Sequence, residues 1–582
     1  MLPLAASILG QPWRWRGHGP GLPGAGRAAG IPDLVAELFA ARGGDPGEYA
    51  RLADPRLRDW LPDPHVLLDM EAAADRLAHA VLGGEAITVF GDYDVDGATS
   101  AALLIRMLRA AGADPKAYIP DRLLEGYGPS ADAMRTIAAK GARLVVTVDC
   151  GAQGFDALAA ARDAGLDVVV IDHHQCATEL PRCHAVVNPN RLDQAAGHGH
   201  LAAVGVTFLL AVATVRALRM RGHWAQRPEP RLLDWLDLVA LGTVADVVPL
   251  RGLNRAFVSQ GLKVLARRGN AGLAALADVA GLTAHPVARD LGFALGPRVN
   301  AGGRIGAADL GVRLLTTDCA HEATVLAAEL NRLNAERRAI EAEVTAAATE
   351  AAAARAADPV IVVAGEGWHA GVIGIVAARL KERLGRPAIV IGLSGETGKG
   401  SGRSISGVDL GAAVLAARDR GLLLAGGGHA MAAGLTVAAD RVEALRDALI
   451  EALNVPVAAA RAGTALMFDA VLAPAGVCPA LADALDAGGP YGAGWPAPRV
   501  VAGPGQIVDA RVVGEGHLRL VFAGADGGRV KAIAFRHAET ALGAALMGAR
   551  GRRVHLAGRV ARDDWGAKPA AELHVEDAAW AE

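Results

Sequence analysis

From about residue 85 the chain alternates short β-branched apolar runs with longer stretches rich in alanine and leucine. The runs Ala86–Phe90, Leu144–Val148 and Val168–Ile171 have strand length, and each is followed closely by acidic or histidine residues. Strands alternating with helices predict a parallel sheet, whose active site collects at the carboxyl ends of the strands. Residues 319–357 contain no glycine, and their Ala/Glu/Arg/Leu texture predicts one long helix stopped by Asp358-Pro359. A second α/β unit follows: strand Val360–Val363, helix Gly371–Leu384 and strand Ala388–Ile391, then glycine-rich loops at 400–407 and 425–434. From about 465 the texture turns to short strands with glycine turns, namely Gln506–Val513, His517–Phe522, Val530–Phe535, Arg553–Val560 and Glu572–Val575. That pattern predicts a small β-barrel. Residues 1–80, rich in Pro, Gly and Trp and then helical, read as a lead-in with no legible chemistry. The expected architecture is α/β: a parallel-sheet domain over 81–318, a connecting helix over 319–357, a smaller α/β domain over 358–455, and an OB-like barrel over 465–582.

A chain of 582 residues, 52% apolar and 21% charged, buries several cores, which excludes a disordered protein. Its net charge of −3 provides no global field for a polyanion, so any nucleic-acid binding must come from local patches. Residues 499–562 form one such patch, with 11 basic and 4 acidic side chains, while the last twenty residues reverse the sign. That footprint suits a polyanion and equally an ordinary solvated arginine-rich surface. Only seven of the 59 basic residues are lysine, and codon usage in a GC-rich genome explains the arginine excess better than selection for phosphate forks. Five cysteines, at positions 150, 176, 183, 319 and 478, show no CxxC spacing and point to a reducing compartment. The start MLPLAASILGQPWRWRG has no basic residue before its short apolar run, unlike a signal peptide. Leu201 to Val215 is too short to span a bilayer and reads as a buried helix. A cytoplasmic protein with no membrane partner is expected.

Chemistry concentrates in four clusters. Gly91-Asp92-Tyr93-Asp94-Val95-Asp96-Gly97 packs three carboxylates into five residues directly after a strand, an arrangement that is costly without a cation between them. The others are Val148-Asp149-Cys150-Gly151, Ile171-Asp172-His173-His174 and Gly242-Thr243-Val244-Ala245-Asp246. Carboxylates with imidazole and no thiolate pair favour Mn²⁺ or Mg²⁺ over Zn²⁺. Singly, each cluster has a plain alternative: Asp149 as a helix cap, His174 as a structural histidine. Together, most of them at strand ends of one sheet, they point to a two-metal site. Arg298, Asn300 and Arg304, in or beside a glycine-rich loop, can donate to phosphate oxygens, as can Arg403 with Ser401 and Ser404, and His429. Tyr127 can stack on a base or bury against the sheet.

GDYDVDG, VDCG, DHH and GTVADVVPL, in that order, resemble motifs I to IV of the DHH phosphoesterase superfamily. Pro120-Asp121-Arg122 with Glu125-Gly126-Tyr127-Gly128, Asn188-Pro189-Asn190, and Pro297 to Arg304 are similar to its branch of bacterial single-stranded-DNA exonucleases. Gly367-Trp368-His369-Ala370-Gly371, Gly400-Ser401-Gly402-Arg403-Ser404 and Gly426-Gly427-Gly428-His429 resemble the associated DHHA1 domain. The resemblance implies that Asp94, Asp96, Asp149, His173 and Asp246 ligate two ions, with Asp149 bridging. Asp92 stands beside them as a ligand or supporting acid, and Asp172 and His174 orient ligands or contact the scissile phosphate. It implies a 5′→3′ exonuclease that releases 5′-mononucleotides in DNA recombination and repair, a monomer working with a single-strand-binding protein and a RecQ-type helicase. Trp495, where Asn is common, and Gly302-Gly303, where Ala-Gly is typical, depart from the pattern. A hydrolase of very short oligonucleotides or cyclic dinucleotides is the first alternative, although those relatives are usually shorter and lack the basic β-module. A non-catalytic replication scaffold is the second, against which the retained acids count.

Overall fold

The computed structural model describes residues 7–17, 24–122, 125–282, 285–563 and 569–581, so the first six residues of the apolar start lie outside it. Five parallel strands form the first sheet, in the order Lys116–Tyr118, Ile87–Gly91, Leu144–Val148, Asp167–Ile171, Ala185–Val187. The central strands are apolar throughout because alternate residues enter two cores, Val146 and Val169 on one face, Val145 and Val168 on the other. The chain leaves Ile87–Gly91 to build the strand on one side, then crosses to build Leu144–Val148 on the other. The crevice beyond these two carboxyl ends is therefore a topological switch point, the place where open α/β sheets bind ligands. The apolar stretch beginning at Leu201 forms the helix Ala203–Met220, mostly buried in this domain's core.

The connecting helix, Ala320–Ala353, runs 34 residues from the first domain into the second. At its middle Glu341 is fully buried; it accepts from Arg337 at 2.6 Å and pairs with Arg379 on the helix Ile373–Leu384. The second sheet is ordered Ala425–His429, Ala432–Ala438, Thr397–Arg403, Ala388–Ser394, Ile361–Glu366, with only the last pair parallel.

Here the structure corrects the glycine-rich loops expected at 400–407 and 425–434, which are largely strand. Gly398, Gly400 and Gly402 alternate on the inward face, where a Cβ would lie 2.7, 2.6 and 2.7 Å from Ile391, Leu435 and Leu410 side chains. Neighbouring side chains fill the space, so the glycines follow strand period rather than breaking the strand. A second correction concerns Arg298, Asn300 and Arg304, which lie on the helix Gly296–Ile305. Pro297 is tolerated in its first turn, and its small residues permit close packing: a Cβ on Gly303 would lie 2.6 Å from the Tyr93 carbonyl.

The carboxyl-terminal sheet closes on itself. Val500–Val513, His517–Gly524, Arg529–Ala534, Ala570–Trp580 and Arg553–Asp563 pair in sequence, and the last returns to the first. The lead-in reaches this barrel: Trp13–Trp15 pairs in parallel with Leu466–Phe468, and the Trp13 indole donates to buried Asp577 at 2.8 Å.

Arg255, on the helix Gly252–Leu265, is fully buried without a carboxylate partner. Its guanidinium donates to the carbonyls of Leu52, Gly488, Gly489 and Pro490 and lies 4.6 Å from the Trp495 ring centroid. Burial brings its pKa down to about 10. Arg255→Met relieves the buried charge but strands several carbonyls, and the second effect dominates. A loss of about 2–4 kcal/mol is expected, at roughly 1–3 kcal/mol for each buried polar group left unsatisfied, and urea denaturation measures it.

Candidate active site

Each acidic motif is aimed by the element it terminates. Asp94 caps the helix Val95–Ala110, its Oδ1 accepting from the amides of Asp96 at 2.9 Å and Gly97 at 3.1 Å. Asp96, in the first turn of that helix, accepts from the amides of Ala203 at 2.7 Å and Val204 at 2.9 Å, at the amino end of Ala203–Met220. Glycine at 242 lets the helix Leu236–Ala245 come close, since a Cβ there would stand 2.3 Å from Thr99 Oγ1 and 2.9 Å from Asp96 Oδ1. One turn later Asp246 ends that helix facing the same point. Asp149 follows Leu144–Val148 in the left-handed region, φ 63°, which aspartate tolerates better than most residues.

His173 Nδ1 lies 3.1 Å from the Leu201 carbonyl, which can only accept, so Nδ1 carries the proton and Nε2 presents its lone pair. That Nε2 stands 3.3 Å from Asp149 Oδ1, 3.5 Å from Asp246 Oδ2 and 3.9 Å from Asp96 Oδ2. Asp172 accepts from the amides of Ala152, His173 and His174 and from His174 Nδ1 at 2.8 Å. Burial opposes its ionisation, yet the His174 hydrogen bond and charge hold its pKa at about 2. Asn188 and Asn190, on the next turn, donate to the carbonyls of His174 and His173 and hold the backbone that carries both rings.

Asp92, Asp96, Asp149 and Asp246 are displaced the opposite way. Burial and the charge of Asp94 raise Asp92 and Asp149 well above the usual range and Asp96 to about 7. Burial and Asp96 raise Asp246 to about 9, while burial and His174 lower His173 to about 4. Asp92 Oδ1, Asp149 Oδ1, Asp246 Oδ2 and His173 Nε2 are buried with no hydrogen-bond partner among the described residues. Such groups need a cation among them. Asp92, Asp94 and Asp149 present ligand atoms within 4.8 Å of one another, and so do Asp96, His173 and Asp246. Asp149 Oδ1, 3.3 Å from His173 Nε2, joins the two groups into one continuous cluster.

This arrangement makes stability depend on pH with a definite sign. The raised pKa values of Asp96 and Asp246 mean that the ion-free fold holds protons the unfolded chain gives up. Their contribution is full below about pH 4 and is lost as pH rises through about 7 and about 9. A divalent cation restores it, so the rise in Tm on adding the cation is expected to be larger near pH 8 than near pH 5.5, as differential scanning calorimetry reads directly.

The residues expected to hold the strand fall into two groups. Arg304 lies almost buried between the two domains, donating to the Gly371 carbonyl at 2.9 Å. Burial together with nearby Arg122, Arg337 and Arg403 brings its pKa to about 10, and Asp94 opposes that. Arg403 donates to Ser401 Oγ at 3.1 Å, and both side chains border Gly374 at the start of the helix Ile373–Leu384. Gly427 and Gly434 continue the Ser401 rung with open space above them, and exposed His429 continues the Arg403 rung. Tyr127 has its ring half exposed and its hydroxyl donating to the Asp149 carbonyl at 3.1 Å, beside His174. Arg298 is committed elsewhere, donating to Asn331 and to the Ala294 carbonyl; Asn300 is half-buried on the same helix. Ser404 is buried and donates to the Val408 carbonyl. Arg122, 5.0 Å from the Tyr93 ring centroid, and Arg337 join the cationic group without having been singled out from sequence. The Pro-Asp-Arg turn at a strand end was the available signal for Arg122.

A carboxylate–imidazole cluster at a sheet's switch point, beside arginines gathered from the first domain, the connecting helix and the second domain, defines a phosphoesterase of the DHH type. The DHH family N-terminal domain matches residues 86–243, the DHHA1 domain 357–455 and the RecJ OB domain 468–577. The chain is 39% identical over 511 residues to the single-stranded-DNA-specific exonuclease RecJ of Dickeya dadantii (strain 3937), covering 86% of this chain and 88% of that one. It is 35% identical over 558 residues to RecJ of Bacillus subtilis (strain 168), covering 95% and 68%. A crystal structure of RecJ in complex with Mn²⁺ from Thermus thermophilus superposes with a TM-score of 0.80 at 31% identity, covering 98% of this chain and 80% of that one. The chain belongs to the RecJ family of single-stranded-DNA-specific exonucleases.

Proposed function

We propose that this protein hydrolyses single-stranded DNA from its 5′ end, releasing 5′-mononucleotides for recombination and repair, with two Mn²⁺ or Mg²⁺ ions. The observation that carries the reading is the set of buried, unpartnered donor atoms on Asp92, Asp149, His173 and Asp246. Asp92, Asp94 and Asp149 would hold one ion, and Asp96, Asp149, His173 and Asp246 the other. When bound, such ions lower the pKa of an attacking water and offset charge on the phosphate. The chain's own residues do the rest. Asp172, Asn188, Asn190 and the Leu201 carbonyl keep the two imidazoles in one orientation and tautomer. Arg304, Arg122 and Arg403, with Ser401 and His429, bind backbone phosphates, and the bare Gly427 and Gly434 rungs let the strand approach the sheet. Tyr127 takes the role of a base platform over the same crevice. The reaction belongs in the cytoplasm, where a helicase of the RecQ type and a single-strand-binding protein would deliver the strand.

The test is digestion of a 5′-labelled strand in Mn²⁺, beside the same strand as a blunt duplex and a dinucleotide. Labelled mononucleotide released first, and only from the single strand, supports the reading. Cleavage of the dinucleotide alone overturns it in favour of a short-substrate hydrolase.

A further inference from the structure

The segment that leads into the barrel is docked on the loop that carries Asp246. The amide of Leu250, four residues after Asp246, donates to the Ala493 carbonyl at 2.8 Å. Gly492 and Trp495 bond each other's backbones at 3.0 and 3.2 Å, closing a tight turn against that loop. The fit leaves no room for side chains: a Cβ on Gly492 would stand 2.7 Å from Leu250 Cδ1, and one on Gly494 2.8 Å from Pro249 Cβ. Trp495 anchors the turn. It is 6% exposed, its indole donates to the Gly488 carbonyl at 3.0 Å, and it lies between the guanidinium groups of Arg255 and Arg42 at 4.6 and 5.6 Å from its centroid. Leu250 and Trp495 share one apolar cluster with Phe39, Tyr49 and Leu52, against which Val244 also packs.

The loop needs that support. Asp94, Asp96 and Asp172 each accept backbone hydrogen bonds that aim their carboxylates, whereas among the described residues none donates to the Asp246 carboxylate. Its placement rests on the backbone, and the next residue, Val247, holds a left-handed φ of 61°. A β-branched residue stays in that region only where its surroundings impose it.

We propose that the linker turn 488–496 is a positioning element for Asp246, with Gly494 and Trp495 as its positioning residues, so that barrel placement and ion binding are coupled. This rests on the reading of the Asp/His cluster as an ion centre. The test uses full-length Gly494→Ala, whose added methyl presses on Pro249, and Trp495→Leu, which removes the anchor. Mn²⁺ binding is titrated without nucleic acid by the electron paramagnetic resonance of free Mn²⁺, and kcat is measured on a trinucleotide and on a long single strand. Both variants are expected to bind Mn²⁺ about 10-fold more weakly and to lose trinucleotide turnover by a similar factor, as for other residues that hold metal ligands in place. Asp577→Ala, which removes the acceptor of the Trp13 indole, is expected to change neither. If either variant keeps a cooperative melt and wild-type Mn²⁺ affinity while KM rises only for the long strand, the linker is a plain tether and the proposal fails. A wild-type chain that takes up no Mn²⁺ overturns the ion-centre reading itself, an outcome seen before any variant is compared.

Discussion

Asp149→Ala is expected to abolish hydrolysis of single-stranded DNA, by at least about a thousandfold in kcat, or about 4 kcal/mol at 1.36 kcal/mol per decade. Asp149 Oδ1 reaches both histidine rings, 3.3 Å from His173 Nε2 and 4.0 Å from His174 Nδ1. It also joins the Asp92–Asp94 group, so alanine removes an oxygen that both this group and the histidine pair share. The structural consequence is small. Burial beside Asp94 and Asp96 disfavours this carboxylate, and among the described residues its Oδ1 has no hydrogen-bond partner; that relief offsets the strain of alanine at φ 63°, so in the absence of metal the variant should melt close to wild type. Loss of activity with a nearly unchanged Tm identifies a functional residue. A variant retaining a tenth or more of wild-type turnover would show that Asp149 is not shared.

Asp172→Asn is expected to lower kcat by about 10–100-fold, the range seen when a residue that orients metal ligands is lost. The shape is conserved, but the chemistry is not. All of the carboxylate's work here is acceptance, from three amides and from His174 Nδ1. An amide has one accepting oxygen, and its NH₂ must then face an N–H donor. With the oxygen kept toward His173 and His174, the NH₂ meets the Ala152 amide, and His174 loses the carboxylate charge that helps to hold its ring. Unlike Asp149→Ala, this substitution should also lower Tm, because a buried, satisfied network becomes partly unsatisfied. Steady-state kinetics beside calorimetry separate the two: kcat and Tm fall together here, and kcat alone falls there.

The acidic clusters were legible because their signals are local. Asp92, Asp94, Asp96, Asp149 and Asp172 sit one to five residues past a short apolar run, and strand period places those ends together at the switch point of a parallel sheet, whereas Asp246 ends a helix. His173 was legible as a ligand, but the Leu201 carbonyl that sets its tautomer lies 28 residues on, where nothing in the sequence marks it. Asn188 and Asn190 stood out only through a resemblance; their donation to the two histidine carbonyls is a tertiary fact. The glycine-rich strands at 397–403 and 425–438 were read as loops because glycine usually punctuates structure, whereas at 398, 400 and 402 the side chains of Ile391, Leu435 and Leu410 occupy the volume that a side chain would need. The helix Gly296–Ile305, with its proline and three glycines, has poor intrinsic propensity and is held by packing on Tyr93 and the connecting helix. Least legible was the lead-in. A strand at residues 13–15 that pairs with one at 466–468 is invisible to any local pattern, yet it and the buried Arg255 tie the barrel to the catalytic domain.

The most direct measurement is the anomalous difference density of a crystal of this protein soaked in Mn²⁺, recorded at the manganese edge. The account predicts two peaks in the crevice beyond Ile87–Gly91 and Leu144–Val148, about 3.5–4 Å apart, the usual spacing of a two-ion hydrolytic site. One should lie against Asp92, Asp94 and Asp149, the other against Asp96, Asp149, His173 and Asp246. A single peak, or peaks that leave Asp149 outside both ligand sets, would contradict it.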